Sequence, residues 1–173
     1  MAADAAAVLA DAGASAADVM GYSMGAQLAI RLMHDAPARV RRCVLGGIGE
    51  SYFHLSHQDT EAIAQALESD DSSAITLPIA REFRTFCERA GDDLKAMAAC
   101  MRRPRRIFTA EELGGIGQPV LVVTGAEDTL AGSPEPLTRA FPNGESIAVP
   151  KRNHHSTVGD RAYKDAVIRF FAN

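Results

Sequence analysis

The sequence predicts an α/β protein in which helices flank about four mainly parallel strands, with a helical cap insertion between two of the strands. The first 50 residues alternate helix, strand, helix and strand. This order is typical of a parallel sheet with right-handed crossovers. The middle of the chain carries only helical patterns, and strand patterns return in the last third.

The leading segment supplies the first two strands. Residues 2–12 are rich in Ala, Val and Leu, which favours a helix. Residues 18–22 form a short apolar strand pattern, and residues 24–34 form a helical pattern that Pro37 ends. The second strand pattern covers residues 43–48.

The middle segment predicts helices and no strand. Three stretches place apolar side chains three or four positions apart, as amphipathic helices do: residues 59–68, 78–89 and 92–101. Thr109 and Glu112 have the spacing of a capping box that opens a further short helix. We therefore assign residues 50–113 to the insertion, and residues 1–49 and 114–173 to the core.

The last segment returns to the sheet. Residues 119–125 give the clearest strand pattern in the chain, because they are apolar and β-branched with proline only at the first position. A short helix at 136–141, a fourth strand at 145–149 and a terminal helix at 157–171 follow. No stretch reaches the roughly 18 apolar residues that span a bilayer.

Composition excludes several classes of partner and cofactor. The net charge of −4 and the pI near 5.7 disfavour binding to nucleic acid or to an anionic membrane. The three cysteines, Cys43, Cys87 and Cys100, show no CxxC spacing, which disfavours a disulfide framework or a zinc site. We therefore expect a cytoplasmic protein that needs no metal and no other cofactor.

The sequence GYSMG at residues 21–25 is a G-x-S-x-G motif. It lies between a predicted strand and a predicted helix, which is the arrangement of a nucleophile elbow. The N-terminal N–H groups of the following helix would face negative charge that develops near the Ser23 oxygen. An ordinary strand-to-helix turn that contains a serine is the alternative interpretation.

A nucleophilic serine requires a base and an acid that orients the base. Glu127 and Asp128 follow the third strand, and His154 and His155 follow the fourth. These positions are at the carboxyl ends of strands, where α/β sheets carry reactive groups. One residue of each pair is expected to act with Ser23, and position relative to the strands leaves both pairs open.

Three motifs occur in the order serine, acid, histidine: GYSMGA at 21–26, GAEDTLAG at 125–132 and RNHHSTVGD at 152–160. With them the chain resembles the α/β-hydrolase fold superfamily, in particular small serine esterases, lactonases and perhydrolases with a helical cap. The resemblance implies Ser23 as nucleophile, Asp128 as acid and His154 as base. Asp128 matches the family position after Gly125 and Ala126, and the residues after His154 fit the family register.

The resemblance also indicates what this chain lacks. The family has roughly 80 further residues before the corresponding start, in line with its larger domain size. They carry the first strands and a loop, often beginning His-Gly, that supplies one oxyanion N–H. No His-Gly dipeptide occurs in this sequence. We therefore expect a truncated α/β-hydrolase fold in which the Met24 N–H is an oxyanion donor without its usual partner, a loss that typically lowers rates by about 10²–10³-fold.

A missing strand would leave the first strand as an apolar sheet edge between Val19 and Tyr22. Bare sheet edges recruit partners. The sequence therefore predicts a homo-oligomer formed through this edge.

The resemblance implies three candidate functions. The first is hydrolysis of small-molecule carboxylic esters through an acyl-enzyme, with Tyr52, Phe53, Leu55 and Leu130 lining an apolar acyl pocket. The second is lactone hydrolysis, C–C bond cleavage or perhydrolysis on the same three residues, because fold alone does not separate these reactions. The third is a catalytically weak remnant that acts in binding.

Overall fold

The computed structural model of the chain describes residues 1–54 and 57–173, and of His57 it gives the backbone only. The described residues form two compact units. The first comprises Met1–Phe53 and Ile107–Asn173, and the second comprises His54–Arg106.

The first unit contains a sheet of four strands in the order β1-β2-β3-β4, and every neighbouring pair is parallel. The strands are β1 at Ala17–Tyr22, β2 at Val40–Gly46, β3 at Val120–Gly125 and β4 at Gly144–Val149. This sheet confirms the predicted fold class. Strand β2 begins three residues before the predicted position 43, because Val40 pairs with Ala17 and Arg42 pairs with Asp18 of β1. Arg41 lies at the register shift between these pairs, and its Nε lies 3.2 Å from the Asp18 carboxylate.

The helices occupy the connections between strands and the second unit. They are α1 at Ala2–Asp11, α2 at Met24–Asp35, α3 at His57–Glu68, α4 at Pro78–Ala90, α5 at Leu94–Arg102, α6 at Ala110–Gly114, α7 at Glu135–Thr138, α8 at His154–Thr157 and α9 at Arg161–Ala172. Short 3₁₀ turns occur at Pro37–Arg39, Glu50–Phe53 and Ser72–Ala74. Among the described residues, no helix combines the length and the apolar character that crossing a bilayer requires.

Helices cover both faces of the sheet, and the central strand β3 is buried along its whole length. Val120 and Val122 of β3 belong to a core that also contains Ile30 and Met33 of α2. The alternate residues of β3 belong to a second core, which also contains side chains of α9: Leu121, Val123, Tyr163, Ala166 and Val167. This arrangement fixes the carboxyl ends of all four strands at one edge of the sheet.

The predicted terminal helix at 157–171 is wrong at its start. The structure ends the short helix α8 at Thr157 and begins α9 at Arg161. The break occurs because the Asp160 side chain caps α9, accepting a 2.7 Å hydrogen bond from the N–H of Ala162.

The second unit consists of α3, α4 and α5 around their own apolar core. Ile63 and Leu67 of α3 pack in this core with Met101 of α5. On its surface the Arg102 guanidinium pairs with Glu61 at 2.9 Å and with Glu68 at 2.6 Å. These ion pairs link α5, which carries Arg102, to α3, which carries both glutamates.

Candidate active site

Ser23 lies in the tight turn between β1 and α2. Its φ of 51° and ψ of −113° give a non-glycine residue a left-handed φ. Such strain costs roughly 1–3 kcal/mol and is concentrated at functional sites. A Cβ atom at Gly21 would lie 2.2 Å from the carbonyl oxygen of Gly25, so the strand approaches the helix this closely only with glycine at position 21. The turn has the geometry of a nucleophile elbow.

The Ser23 hydroxyl is engaged outside its own helix. Ser23 occupies the N-cap position of α2, where a serine usually accepts a hydrogen bond from an N–H of the first turn. No such bond is present in the described structure. The Ser23 Oγ instead lies 3.1 Å from Nε2 of His154. The N–H groups of Met24 and Gly25 begin α2 and have no acceptor within the helix, so the helix N-terminus can stabilise negative charge beside Ser23.

His154 is the first residue of the short helix α8, which follows β4. Asn153 and Ser156 form a reciprocal capping box at the start of this helix: the Asn153 side chain accepts from the Ser156 N–H at 3.0 Å, and the Ser156 hydroxyl accepts from the Asn153 N–H at 3.0 Å. Lys151, with a φ of 58°, turns the chain out of the strand. This loop fixes the backbone from which the imidazole of His154 extends.

Asp128 lies in the turn after β3, and its carboxylate is buried. Its Oδ1 accepts hydrogen bonds from the N–H groups of Leu130 at 3.1 Å and Ala131 at 2.9 Å. Its Oδ2 lies 2.9 Å from Nδ1 of His154. The preceding Glu127 is exposed, and its N–H donates to the carbonyl of Arg152 at 2.9 Å, which ties the turn to the loop before His154.

The structure brings Ser23, His154 and Asp128 into one continuous chain of contacts. The imidazole of His155 is perpendicular to that of His154, with 5.5 Å between the ring centroids. Only one nitrogen of His154 faces the hydroxyl, and the other faces the carboxylate. This arrangement can accept a proton from a serine hydroxyl while the carboxylate holds the imidazole orientation. Among the described residues, no group of three His, Cys, Asp or Glu side chains is placed to hold a metal ion.

The residues predicted to line an acyl pocket have different environments. Tyr52 is only 2% exposed, and its hydroxyl accepts a hydrogen bond from the N–H of Phe108 at 2.9 Å, so the structure makes it a core residue rather than a pocket wall. The half-buried Phe53 ring lies nearly perpendicular to Tyr52, at 5.3 Å between centroids. Leu130 is half-buried in the Asp128 turn, and Leu55 lies outside the described residues.

Sequence reasoning missed Tyr22, the variable position that precedes Ser23. Its hydroxyl donates a 2.5 Å hydrogen bond to the main-chain carbonyl of His154. Burial, together with the nearby Asp128 carboxylate, raises the pKa of this hydroxyl above its ordinary value, so it is a donor at any moderate pH. Its partner is 132 positions away, so no local pattern identifies it. The Asn153 cap was also missed, although Asn and Ser three positions apart before a helix are a readable signal.

Comparison with known proteins identifies the architecture. A hydrolase from Pseudomonas aeruginosa PA01 superposes with a TM-score of 0.74 at 21% identity, covering 99% of this chain and 70% of its own. An α/β hydrolase from a Medee basin deep-sea metagenome library has a TM-score of 0.74 at 18% identity over the same shares. The chain has the α/β-hydrolase fold. An esterase from Exiguobacterium antarcticum has a TM-score of 0.73 at 14% identity, covering 100% of this chain and 73% of its own.

These identities establish the α/β-hydrolase fold and nothing finer. No protein-family model matches the sequence. The resemblance inferred from the three ordered motifs is thus confirmed at the level of the α/β-hydrolase fold. The fold alone determines neither activity nor substrate, because one fold hosts many chemistries.

Proposed function

We propose that this chain is a serine hydrolase that cleaves small-molecule carboxylic esters through an acyl-enzyme. The proposal assigns Ser23 as nucleophile, His154 as general base and acid, Asp128 as the group that orients His154, and the Met24 N–H as an oxyanion donor. The esterase among the structural neighbours is in keeping with this choice of substrate class.

The proposed reaction uses the contacts at the site. The Ser23 Oγ attacks the acyl carbon while its proton passes to Nε2 of His154 across 3.1 Å. The carbonyl oxygen becomes an oxyanion beside the Met24 N–H at the N-terminus of α2. The tetrahedral intermediate then expels the alcohol, which takes the proton from Nε2, and leaves an acyl-Ser23 ester. Water attacks this ester after giving a proton to Nε2, and the acid is released as that proton returns to Ser23.

The direction of the Ser23 hydroxyl is the observation that carries the proposal. A serine at a helix N-cap normally bonds its own helix. Here the hydroxyl meets an imidazole that a buried carboxylate holds at 2.9 Å from its other nitrogen. A serine with only a turn-forming role needs neither the strained φ of 51° nor this pair of partners.

Hydrolysis of p-nitrophenyl acetate by the wild type, Ser23→Ala, His154→Ala and His155→Ala tests the proposal. His155→Ala is the matched control, because it removes an adjacent imidazole that is perpendicular to His154. We expect Ser23→Ala and His154→Ala to lose turnover by about 10³-fold or more. His155→Ala should keep turnover within about threefold of the wild type, since a residue outside the reacting contacts changes the barrier little.

Three outcomes would count against the proposal. Equal turnover in the wild type and Ser23→Ala would remove Ser23 from the reaction. Equal losses in His154→Ala and His155→Ala would show that the specific geometry of His154 does not matter. Absence of Ser23-dependent turnover in the folded wild type would favour the binding role instead.

A further inference from the structure

We propose that Tyr22 is a positioning residue that holds His154 in reach of Ser23. This inference rests on the proposed function, because it explains how the base of that reaction is kept in place. Tyr22 adjoins the nucleophile in sequence and contacts the base in space, so a single residue joins the strand that carries Ser23 to the loop that carries His154.

Tyr22 touches His154 in two ways. Its hydroxyl donates to the His154 carbonyl at 2.5 Å, which ties the main chain of the base to β1. Its ring lies against the imidazole, with 5.5 Å between centroids and 50° between planes. The hydrogen bond limits movement of the His154 backbone, and the ring contact limits rotation of its side chain.

The Tyr22 ring occupies a slot that the end of β2 keeps open. A Cβ atom at Gly46 would lie 2.6 Å from the ring, and one at Gly47 would lie 2.7 Å from it. Gly47 also has a φ of 61°, which side chains rarely adopt. Tyr163 also meets the ring edge-on, with 5.9 Å between centroids. These neighbours confine the ring at the place from which its hydroxyl reaches the His154 carbonyl.

The donor is suited to this role. Burial and the Asp128 carboxylate keep the Tyr22 hydroxyl protonated, so its hydrogen bond persists over the pH range in which an imidazole can act as a base. Within α8 the Thr157 hydroxyl donates to the Asn153 carbonyl at 2.7 Å. The main chain is thus held at Asn153 as well as at His154 itself.

Tyr22→Phe tests the inference, with Tyr163→Phe as the matched control. Tyr163 is also buried and aromatic, but its hydroxyl has no hydrogen-bond partner in the described structure. Each variant keeps its ring and loses one hydroxyl. We expect Tyr22→Phe to lower kcat for p-nitrophenyl acetate about tenfold with KM within twofold, the effect of one neutral hydrogen bond expressed in the transition state. Tyr163→Phe should keep both constants.

A second readout separates this inference from the proposed function. The Nδ1 proton of His154, shared with Asp128, should give a downfield NMR resonance that Tyr22→Phe broadens through exchange and that Tyr163→Phe leaves sharp. If the wild type has no Ser23-dependent turnover, the proposed function fails and this resonance alone decides the inference. Tyr22→Phe with unchanged kcat and an unchanged resonance would overturn it, and so would equal losses in both variants at equal melting temperatures.

Discussion

Asp128→Asn separates the two roles that the carboxylate of Asp128 has in the structure. Its Oδ1 accepts hydrogen bonds from the N–H groups of Leu130 and Ala131, which shape the turn after β3. Its Oδ2 faces Nδ1 of His154 at 2.9 Å, which sets the orientation of the imidazole. Asparagine keeps an oxygen for the turn and places an NH₂ group against Nδ1. The turn should therefore persist while the contact with the base is reversed.

The reversed contact predicts a large catalytic loss with a small effect on stability. Facing an NH₂ donor, Nδ1 of His154 must become the acceptor, so the imidazole proton moves to Nε2. That nitrogen lies 3.1 Å from the Ser23 Oγ and could then no longer take its proton. The wrong tautomer at such a site costs about 10⁴-fold in kcat. This corresponds to about 5.5 kcal/mol of transition-state stabilisation.

Asp128→Ala should, in addition to losing activity, lower the free energy of unfolding. It removes the acceptor of both turn N–H groups, and an unsatisfied buried donor costs about 1–3 kcal/mol. The Ala131 N–H is buried and the Leu130 N–H is half-buried, so the first contributes the larger share. Against a total stability of about 5–15 kcal/mol, this loss is readily measured.

Ester turnover and urea unfolding monitored by circular dichroism, applied to both variants, provide the assay. We expect the two variants to be equally inactive and Asp128→Ala to unfold at the lower urea concentration. Wild-type turnover in Asp128→Asn would refute the orienting role of Asp128. Equal unfolding midpoints for the two variants would refute the assigned role of Oδ1 in the turn.

Three further predictions concern the elbow, the start of α9 and the sheet edge. Gly21→Ala should lower the free energy of unfolding by about 3 kcal/mol, because its Cβ would meet the Gly25 carbonyl oxygen at 2.2 Å. The Arg152 guanidinium and the Ala162 N–H lower the pKa of Asp160, so its stabilising contribution is complete above the unfolded pKa of 3.8 and is lost as pH falls through the lower folded pKa. The stability difference between the wild type and Asp160→Asn should therefore shrink as pH falls from about 5 to 2. We also propose self-association through β1, where Met20 is 50% exposed, and expect light scattering to detect it.

Each of these three predictions has a control variant or an outcome that would contradict it. Gly25→Ala is the control for the elbow, because its Cβ would meet nothing within 4 Å, and destabilisation equal to that of Gly21→Ala would contradict the close approach. A stability difference for Asp160→Asn that does not change between pH 5 and pH 2 would show that its pKa is not lowered by folding. A monomeric mass at micromolar concentration, unchanged by Met20→Lys, would remove the self-association proposal.

The sheet and the elbow were predictable because their signals are local. Residues 120–125 and 43–46 are apolar runs, and GYSMG lies between a strand pattern and a helix pattern in the sequence itself. The limits of β2 were less predictable, since its first residues belong to the strand through pairing with β1, Val40 with Ala17 and Arg42 with Asp18, across a register shift.

The finer parts of the site depend on contacts between distant segments. Position relative to the strands left His154 and His155 equivalent, and the hydrogen bonds of α8 distinguish their environments in the structure. Tyr52 was predicted to line a pocket, yet it is buried in the core and its hydroxyl accepts from the Phe108 N–H, 56 positions away. The contact between Tyr22 and His154 spans 132 positions.

Labelling of the purified chain with a fluorophosphonate, followed by mass spectrometry, tests most directly whether Ser23 is an activated nucleophile. We expect one covalent adduct on the wild-type chain, mapped to the peptide that contains Ser23, and no adduct on Ser23→Ala. A folded wild-type chain that takes up no label, or a Ser23→Ala variant that is labelled equally well, would contradict the assignment of Ser23 as nucleophile.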